Sequence, residues 1–308
     1  MDKIERVRAT LAGKPADRPP FTVWYHFGNQ HAPAERAAAV HLEFFEAYDL
    51  DLLKVMNDYD YPMPDGIDTI ATAEGLELLR PFEPRDTPMG TQLRAIEIIA
   101  EALRGKALFV DTVFNAWNTL KRNIVKGAIT ELMTTHPTAV EEALGVVNAN
   151  LIRYAQASLE RGAAGIFLSV PASTESLTLE QYERFMRPFD LQLLQAIAGR
   201  GECHVLHAHG ERLYLDRLLE YPVHALSWAD LNGGPAIAQM RRRSPLTLMA
   251  GLDHVKLVES SAGLVRWQVR RALAEAGPTH FILAPGCSLP TYAYPPLIRA
   301  AREESAKG

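Results

Sequence analysis

Several classes of protein are excluded by what this 308-residue sequence lacks. Its two cysteines, Cys203 and Cys287, are too few for a disulfide framework and suit a reducing compartment, which leaves either thiol free for chemistry. No apolar run approaches membrane-spanning length. The opening MDKIERVRAT also lacks the basic-then-apolar order of a secretion signal, so we expect a cytoplasmic protein with no membrane partner. The net charge of -5 provides no basic field to draw the chain to a phosphate backbone, and nucleic acid is excluded as a partner. There is no internal repeat, low-complexity tract or interdomain linker, and the expectation is one domain over residues 1–308.

What is present is an alternation. Eight short runs rich in β-formers recur along the chain: FTVW (21–24), DLLKV (51–55), ALFVD (107–111), GIFLS (165–169), CHVLH (203–207), HALSW (224–228), LTLMA (246–250) and FILAP (281–285). Segments of helical periodicity separate them, at 34–48, 92–104, 137–161, 178–199, 211–220, 234–243 and 257–276. Thr178 and Gln181 stand at capping-box spacing. Parallel strands joined by crossover helices follow from this order, and eight units in this length predict an α/β fold of the (β/α)8 TIM-barrel type. A doubly wound open sheet is the competing architecture, but it carries a glycine-rich phosphate turn after its first strand, and VWYHFGNQH is not one. Two features lie outside the alternation. Residues 2–12 read as an N-terminal helix ending at Gly13 and plugging the bottom of the barrel, and residues 57–90, with five prolines and the strand-like LELLRPF, read as a long insertion after strand 2.

In such a barrel the chemistry collects where strands end and βα loops begin. The residues there are Tyr25, His26 and Phe27; Asn57, Asp58, Tyr59 and Asp60; Asp111, Asn115 and Trp117; Ser169; His207 and His209; Trp228 and Asp230; Asp253 and His254; and Cys287. His207 and His209 have strand spacing, so both side chains project to one side if the strand persists through them. Two neutral imidazoles with a thiolate such as Cys287 form a set that zinc accepts readily. Ten histidines also make a chance His-x-His expected somewhere, and either cysteine could be core packing, so spacing alone leaves the metal site open. Metal-dependent amidohydrolases carry their His-x-His after the first strand, whereas here it follows the fifth.

Three segments carry a resemblance: IERVRATLAGKPADRPPFTVW (4–24), LTLMAGLDHVKLV (246–258) and HFILAPGCSLPTYAYPPLIRAARE (280–303). In order and spacing the chain resembles the uroporphyrinogen decarboxylase superfamily, whose barrel also serves corrinoid-dependent methyltransferases. The decarboxylases carry an arginine-containing segment after strand 1 to hold a substrate bearing eight carboxylates; here that place reads YHFGNQH, with no arginine before Arg36. The methyltransferase branch draws its zinc ligands from a His-x-Cys-Gly after a late strand and a Gly-Cys followed by a proline after the last one. HAHG (207–210) and GCSLP (286–290) stand at those places, so the resemblance implies His207, His209 and Cys287 as ligands. The departure is His209 in place of cysteine, which leaves a bound ion about one charge more positive and a stronger Lewis acid.

The resemblance implies a zinc-dependent methyltransferase that moves a methyl group between a small thiol acceptor, or methoxy or methylamine donor, and the cobalt of a corrinoid (cobalamin) carried by a partner protein. Tyr25, His26, Asp58 and Asp60 are candidates for proton transfer or positioning, and Phe27, Asn57, Tyr59, Trp117 and Trp228 for substrate contact. A metal-free decarboxylase relying on Asp58 or Asp60 is the alternative.

Overall fold

The computed structural model describes residues 1–307. Seven parallel strands form one sheet in chain order: β1 (Leu52–Val55), β2 (Leu108–Phe114), β3 (Gly165–Val170), β4 (Val205–Ala208), β5 (Ala225–Ser227), β6 (Thr247–Leu252) and β7 (Phe281–Pro285). Each falls on an expected run. The run at 21–24 forms no regular strand; it contributes one parallel bridge, Phe21 to Leu283. Even so it spans the sheet's two edges. Thr22 N donates to Leu283 O at 3.1 Å, Leu283 N to Pro20 O at 2.8 Å, and Asp51 N to Phe21 O at 2.9 Å. Prolines 19 and 20 lack the N–H groups that a longer ladder would need.

Burial follows strand alternation. The side chains of Trp24, Leu52, Met56, Leu108, Val110, Phe167, Val205, Ala225, Met249, Ile282 and Ala284 pack together as one cluster inside the curl of the sheet. The intervening residues face the helices and join a second, larger cluster. Val7 belongs to the inner group, with Ile4 and Leu11 against it, so α1 (Lys3–Leu11) closes the amino-terminal end of the interior as a plug. A capping box between Asp2 and Glu5 starts that helix.

Several helices depart from expectation, one of them where proline intervenes. Thr178 and Gln181 do form their capping box, but the expected 178–199 helix divides at Met186 into Leu179–Phe185 and Arg187–Ala196. Pro188 cannot donate to the preceding turn, and its ring disfavours helical continuity there. Over 211–220 only the single turn Leu215–Leu218 is helical. Between β1 and the helix Pro88–Leu103 the chain holds one helical turn, Ala73–Leu76, and one 3-10 turn, Pro84–Asp86, and LELLRPF forms no strand. Phe82 N finds the side-chain oxygen of Asn150 at 3.0 Å instead of a strand partner. Among the described residues no helix is long and apolar enough to cross a membrane.

The start of the sheet is tied by one carboxylate. Asp51, fully buried, accepts from Arg6 at 2.7 Å, from Arg18 at 2.5 and 3.0 Å, and from Phe21 N at 2.9 Å. It therefore joins α1, the 13–20 segment, the bridging segment and β1. Removing one partner of such a buried set leaves charge unpaired, so Asp51→Ala is expected to cost about 3–5 kcal/mol. Urea denaturation measures it; a loss below about 1 kcal/mol, typical of exposed pairs, contradicts this role.

Candidate active site

A cavity of about 400 Å3 opens at the carboxyl ends of the strands. Its lining follows from the same alternation. Along β1 and its continuation Leu52, Lys54 and Met56 share the inner side; along β2 Val110, Thr112 and Phe114; on β3 Phe167 and Ser169; on β4 Val205 and His207. The first of each series fills the interior core, and those beyond it face the cavity. Loop residues complete the wall, among them His26, Trp117, Lys121, Arg122, His209 and Cys287.

His207 is buried and its ring is fixed on three sides. It stacks on Phe167 with centroids 5.2 Å apart, meets Trp24 edge-on at 6.3 Å, and its Nδ1 lies 3.1 Å from Ser227 Oγ on β5. Its Nε2 is buried without a partner of hydrogen-bond geometry. His209 follows at the mouth, its ring centroid 6.2 Å from that of His207. Cys287 arrives from the other side of the cavity, after β7. Gly286 makes that approach feasible, since a Cβ there would lie 2.7 Å from the Ala229 backbone and 2.9 Å from His254 Nδ1.

Burial pushes the Cys287 thiol up, but the imidazoles of His207 and His209 beside it pull harder and bring it down to about 3. The thiol in turn raises His209. Two imidazole groups and a thiolate, one nitrogen of them unpartnered and its ring oriented through the other nitrogen, match the donor chemistry of zinc together with the outer hydrogen bond that ligating histidines need. Among the described residues no group of three or more His, Cys, Asp or Glu side chains is drawn together closely enough to hold an ion as it stands.

The other candidates divide. His26 lines the cavity mouth, and Asp58 stands behind it: the Asp58 carboxylate lies 2.8 Å from His26 Nδ1 and accepts from Phe27 N and Gly28 N at 3.0 and 3.1 Å. Burial raises Asp58, and His26 with these amides lowers it further than burial lifts it. Trp117 lines the cavity with its indole N–H unpartnered. Tyr25 and Phe27 turn into an aromatic cluster with Phe44, their centroids 4.7 and 5.3 Å from it. Asn57 and Tyr59 border a separate small recess, where the Tyr59 hydroxyl donates to Ala32 O at 2.8 Å. Trp228 is buried, donating to Pro235 O at 2.8 Å, and Asp60 is exposed; neither borders the cavity. Asp111, one step out of phase with Val110 and Thr112, points outward to Tyr154 and Ser158.

Most of the cavity residues were not singled out by sequence reasoning, among them Lys54, Met56, Lys121 and Arg122. For Lys54 the signal is visible in DLLKV, an ionisable residue inside an otherwise apolar strand. Lys121 and Arg122 lie in a turn of π-helix, Leu120–Val125, which no local pattern announces.

A family description, uroporphyrinogen decarboxylase, matches residues 56–305. No curated protein sequence matches the chain. Among solved structures, a methyltransferase from Methanosarcina mazei superposes with a TM-score of 0.84 at 17% identity, over 100% of this chain and 99% of that one. A B12-independent methionine synthase from Shewanella sp. W3-18-1, in complex with selenomethionine, has a TM-score of 0.52 at 12% identity, over 70% of this chain and 65% of that one. At these identities both establish a shared fold.

The two cysteines differ in a measurable way. Burial pushes Cys203 up to about 12, whereas Cys287 is lowered. In chelator-treated protein at pH 6, iodoacetamide is expected to alkylate Cys287 and spare Cys203, because only the lowered thiol remains a thiolate below the ordinary cysteine range. Peptide mass mapping reads the outcome; equal labelling, or none at Cys287, contradicts the imidazole–thiolate arrangement.

Proposed function

Because the chain belongs to the uroporphyrinogen decarboxylase family, we propose that it is a zinc-dependent methyltransferase moving a methyl group between a small substrate and the corrinoid of a partner protein. We further propose that it does so as a single (β/α)8 domain in which residues 20–24 supply the eighth position and 57–90 the insertion. The observation that carries the reading is that His207, His209 and Cys287 line one cavity, with the buried His207 Nε2 making no hydrogen bond of good geometry while its ring lowers the neighbouring Cys287 thiol. The fold likeness to a methyltransferase supports it.

His207, His209 and Cys287 are the residues that would hold zinc. When bound, the ion supplies Lewis acidity, which lowers the pKa of a thiol or polarises a methyl-bearing oxygen or nitrogen. With the ring proton on Nδ1, His207 donates to Ser227 Oγ, which holds the ring and leaves Nε2 free to act as a donor atom. Trp24, Phe114, Trp117 and Phe167 give the cavity apolar walls for the body of a small substrate, and Thr112, Ser169 and Asn118 offer polar contacts. His26, oriented by Asp58, is placed to hold a proton at the mouth.

Metal-free decarboxylation is the weaker reading. Among the described residues no aspartate or glutamate lines the cavity, and Asp58 is committed to His26 and the backbone of 27–29.

Protein purified without chelator is expected to carry about one zinc per chain, lost in His207→Ala and in Cys287→Ala, because ligand loss removes binding free energy directly. Elemental analysis decides it, and wild-type protein without zinc would sink the proposal. Ser227→Ala should weaken zinc affinity by about 10–100-fold while leaving the fold intact. Competition with a chromogenic chelator measures that loss; unchanged affinity removes Ser227 from the site.

A further inference from the structure

Lys54 is the most unusual charge in the molecule. It lies mid-strand on β1, only 3% exposed, with its side chain on the inner side facing the cavity floor. The polar atom nearest its ammonium is the thioether sulfur of Met56, at 3.1 Å. The remaining contacts are aromatic faces: Nζ is 4.9 Å from the centroid of Phe167 and 5.6 Å from that of Trp24. Among the described residues it forms no ion pair, although the chain pairs most of its arginines with carboxylates. Buried lysines are normally paired. A strand-borne ammonium kept in a cleft without a carboxylate costs stability and brings no packing advantage over methionine.

The groups that face it account for its behaviour. Burial pulls the ammonium down to about 7, against smaller upward effects of Cys287, Asp58 and Asp111. His41, behind the strand, is itself pushed down by burial and by Lys54. His26, His207, His209, Lys121 and Arg122 line the same cavity. Cys287 is the largest of these upward effects, yet it makes no ion pair with the lysine; Asp58 is occupied by His26 and backbone amides, and Asp111 by Tyr154, Ser158 and Gln92, and together the three do not outweigh burial.

We propose that Lys54 is a catalytic residue of the cavity, exchanging a proton with the substrate heteroatom from which, or to which, the methyl group moves. The inference rests on the methyl-transfer reading above. The proton balance requires such a group in either direction. When a methyl leaves an oxygen, nitrogen or sulfur, the carbon–heteroatom bond breaks with its electron pair remaining on the heteroatom. The methyl passes to the reduced cobalt of the partner's corrinoid, and the heteroatom takes a proton. In reverse, a thiol loses its proton, its lone pair forms the new bond to carbon, and the cobalt–carbon bond breaks with its electron pair remaining on the cobalt of the partner's corrinoid, which returns to the reduced state. One proton crosses at the heteroatom per turnover. An amine that is half protonated near neutral pH serves both directions, and its three donor sites match the absence of any fixed partner. His207 and His209 are committed to the metal in this reading, and His26 stands at the solvent-exposed mouth.

The test uses zinc-loaded full-length protein with free methylcobalamin and 3-mercaptopropionate as the probe pair, followed by the absorbance change of the cobalamin. Lys54→Met, which extends the Met56 surface, is expected to keep its zinc and its thermal stability. It should lose about 100-fold or more in rate, with the pH limb near neutrality abolished, the range that general acid–base groups supply. A fully active Lys54→Met with an unchanged pH profile overturns the role of the lysine and leaves methyl transfer standing. A zinc-loaded wild type that transfers no methyl counts against the methyl-transfer reading itself. The lysine is then judged without turnover, and without relying on the variant to fold. At pH 7 cyanate is expected to carbamylate Lys54 in wild-type protein ahead of every other lysine, because only the unprotonated amine reacts. Labelling no faster than at the surface lysines overturns the assignment.

Discussion

The architecture depends on a single buried carboxylate. A parallel sheet with helices outside has two free edges, and here the edges are joined by a stretch too proline-bound to form a full strand. Asp51 supplies what backbone pairing cannot. Its side chain takes the Phe21 amide while its own amide donates back to Phe21 O, and two guanidiniums balance its charge. With that join in place, β7 lies across the interior from β4, and a thiol from near the end of the chain can face imidazoles from its middle. The distant chemistry of residues 207–209 and 287 thus leans on an ion cluster at the opposite end of the strands.

Above that join, a period of two organises nearly everything. Leu52, Lys54 and Met56, or Val205 and His207, are successive steps along one side of a strand, the lower step filling the core and the upper one facing the cavity. The electrostatics follow from this placement. His207 is pressed between Phe167 and Trp24 and held by Ser227, so its orientation is set before any ligand arrives. The neighbouring thiol is held anionic against the penalty of burial, and among the described residues no carboxylate intrudes on the lining. The cavity is therefore a positively biased, aromatic-walled space with one anionic sulfur.

Much of this was legible in the sequence, and the reasons are specific. Seven strands coincide with runs of β-branched and apolar residues, because fully buried parallel strands tolerate little else. The α1 plug was visible from its helical pattern and terminal glycine, and HAHG with GCSLP pointed to residues that do border one cavity. What escaped depended on tertiary context. Pro188 divides a helix whose hydrophobic period continues through it, and 21–24 has strand composition but follows two prolines and gives its first amide to the Asp51 side chain instead of a ladder. Tyr25, Phe27 and Trp228 stand at strand ends, as substrate-contacting residues do, yet aromatic packing draws the first two aside and a hydrogen bond to Pro235 O holds the third. Lys54 shows the opposite case, a charge concealed in an apolar run whose meaning depends on which way the strand faces.

The plug made by Val7 has a kinetic corollary. Since α1 and the layers above it fill the interior from below, the cavity opens at the strand carboxyl ends and is closed toward the amino ends. Whatever enters by that mouth leaves by it, so a molecule lying deeper cannot depart while another occupies the entrance.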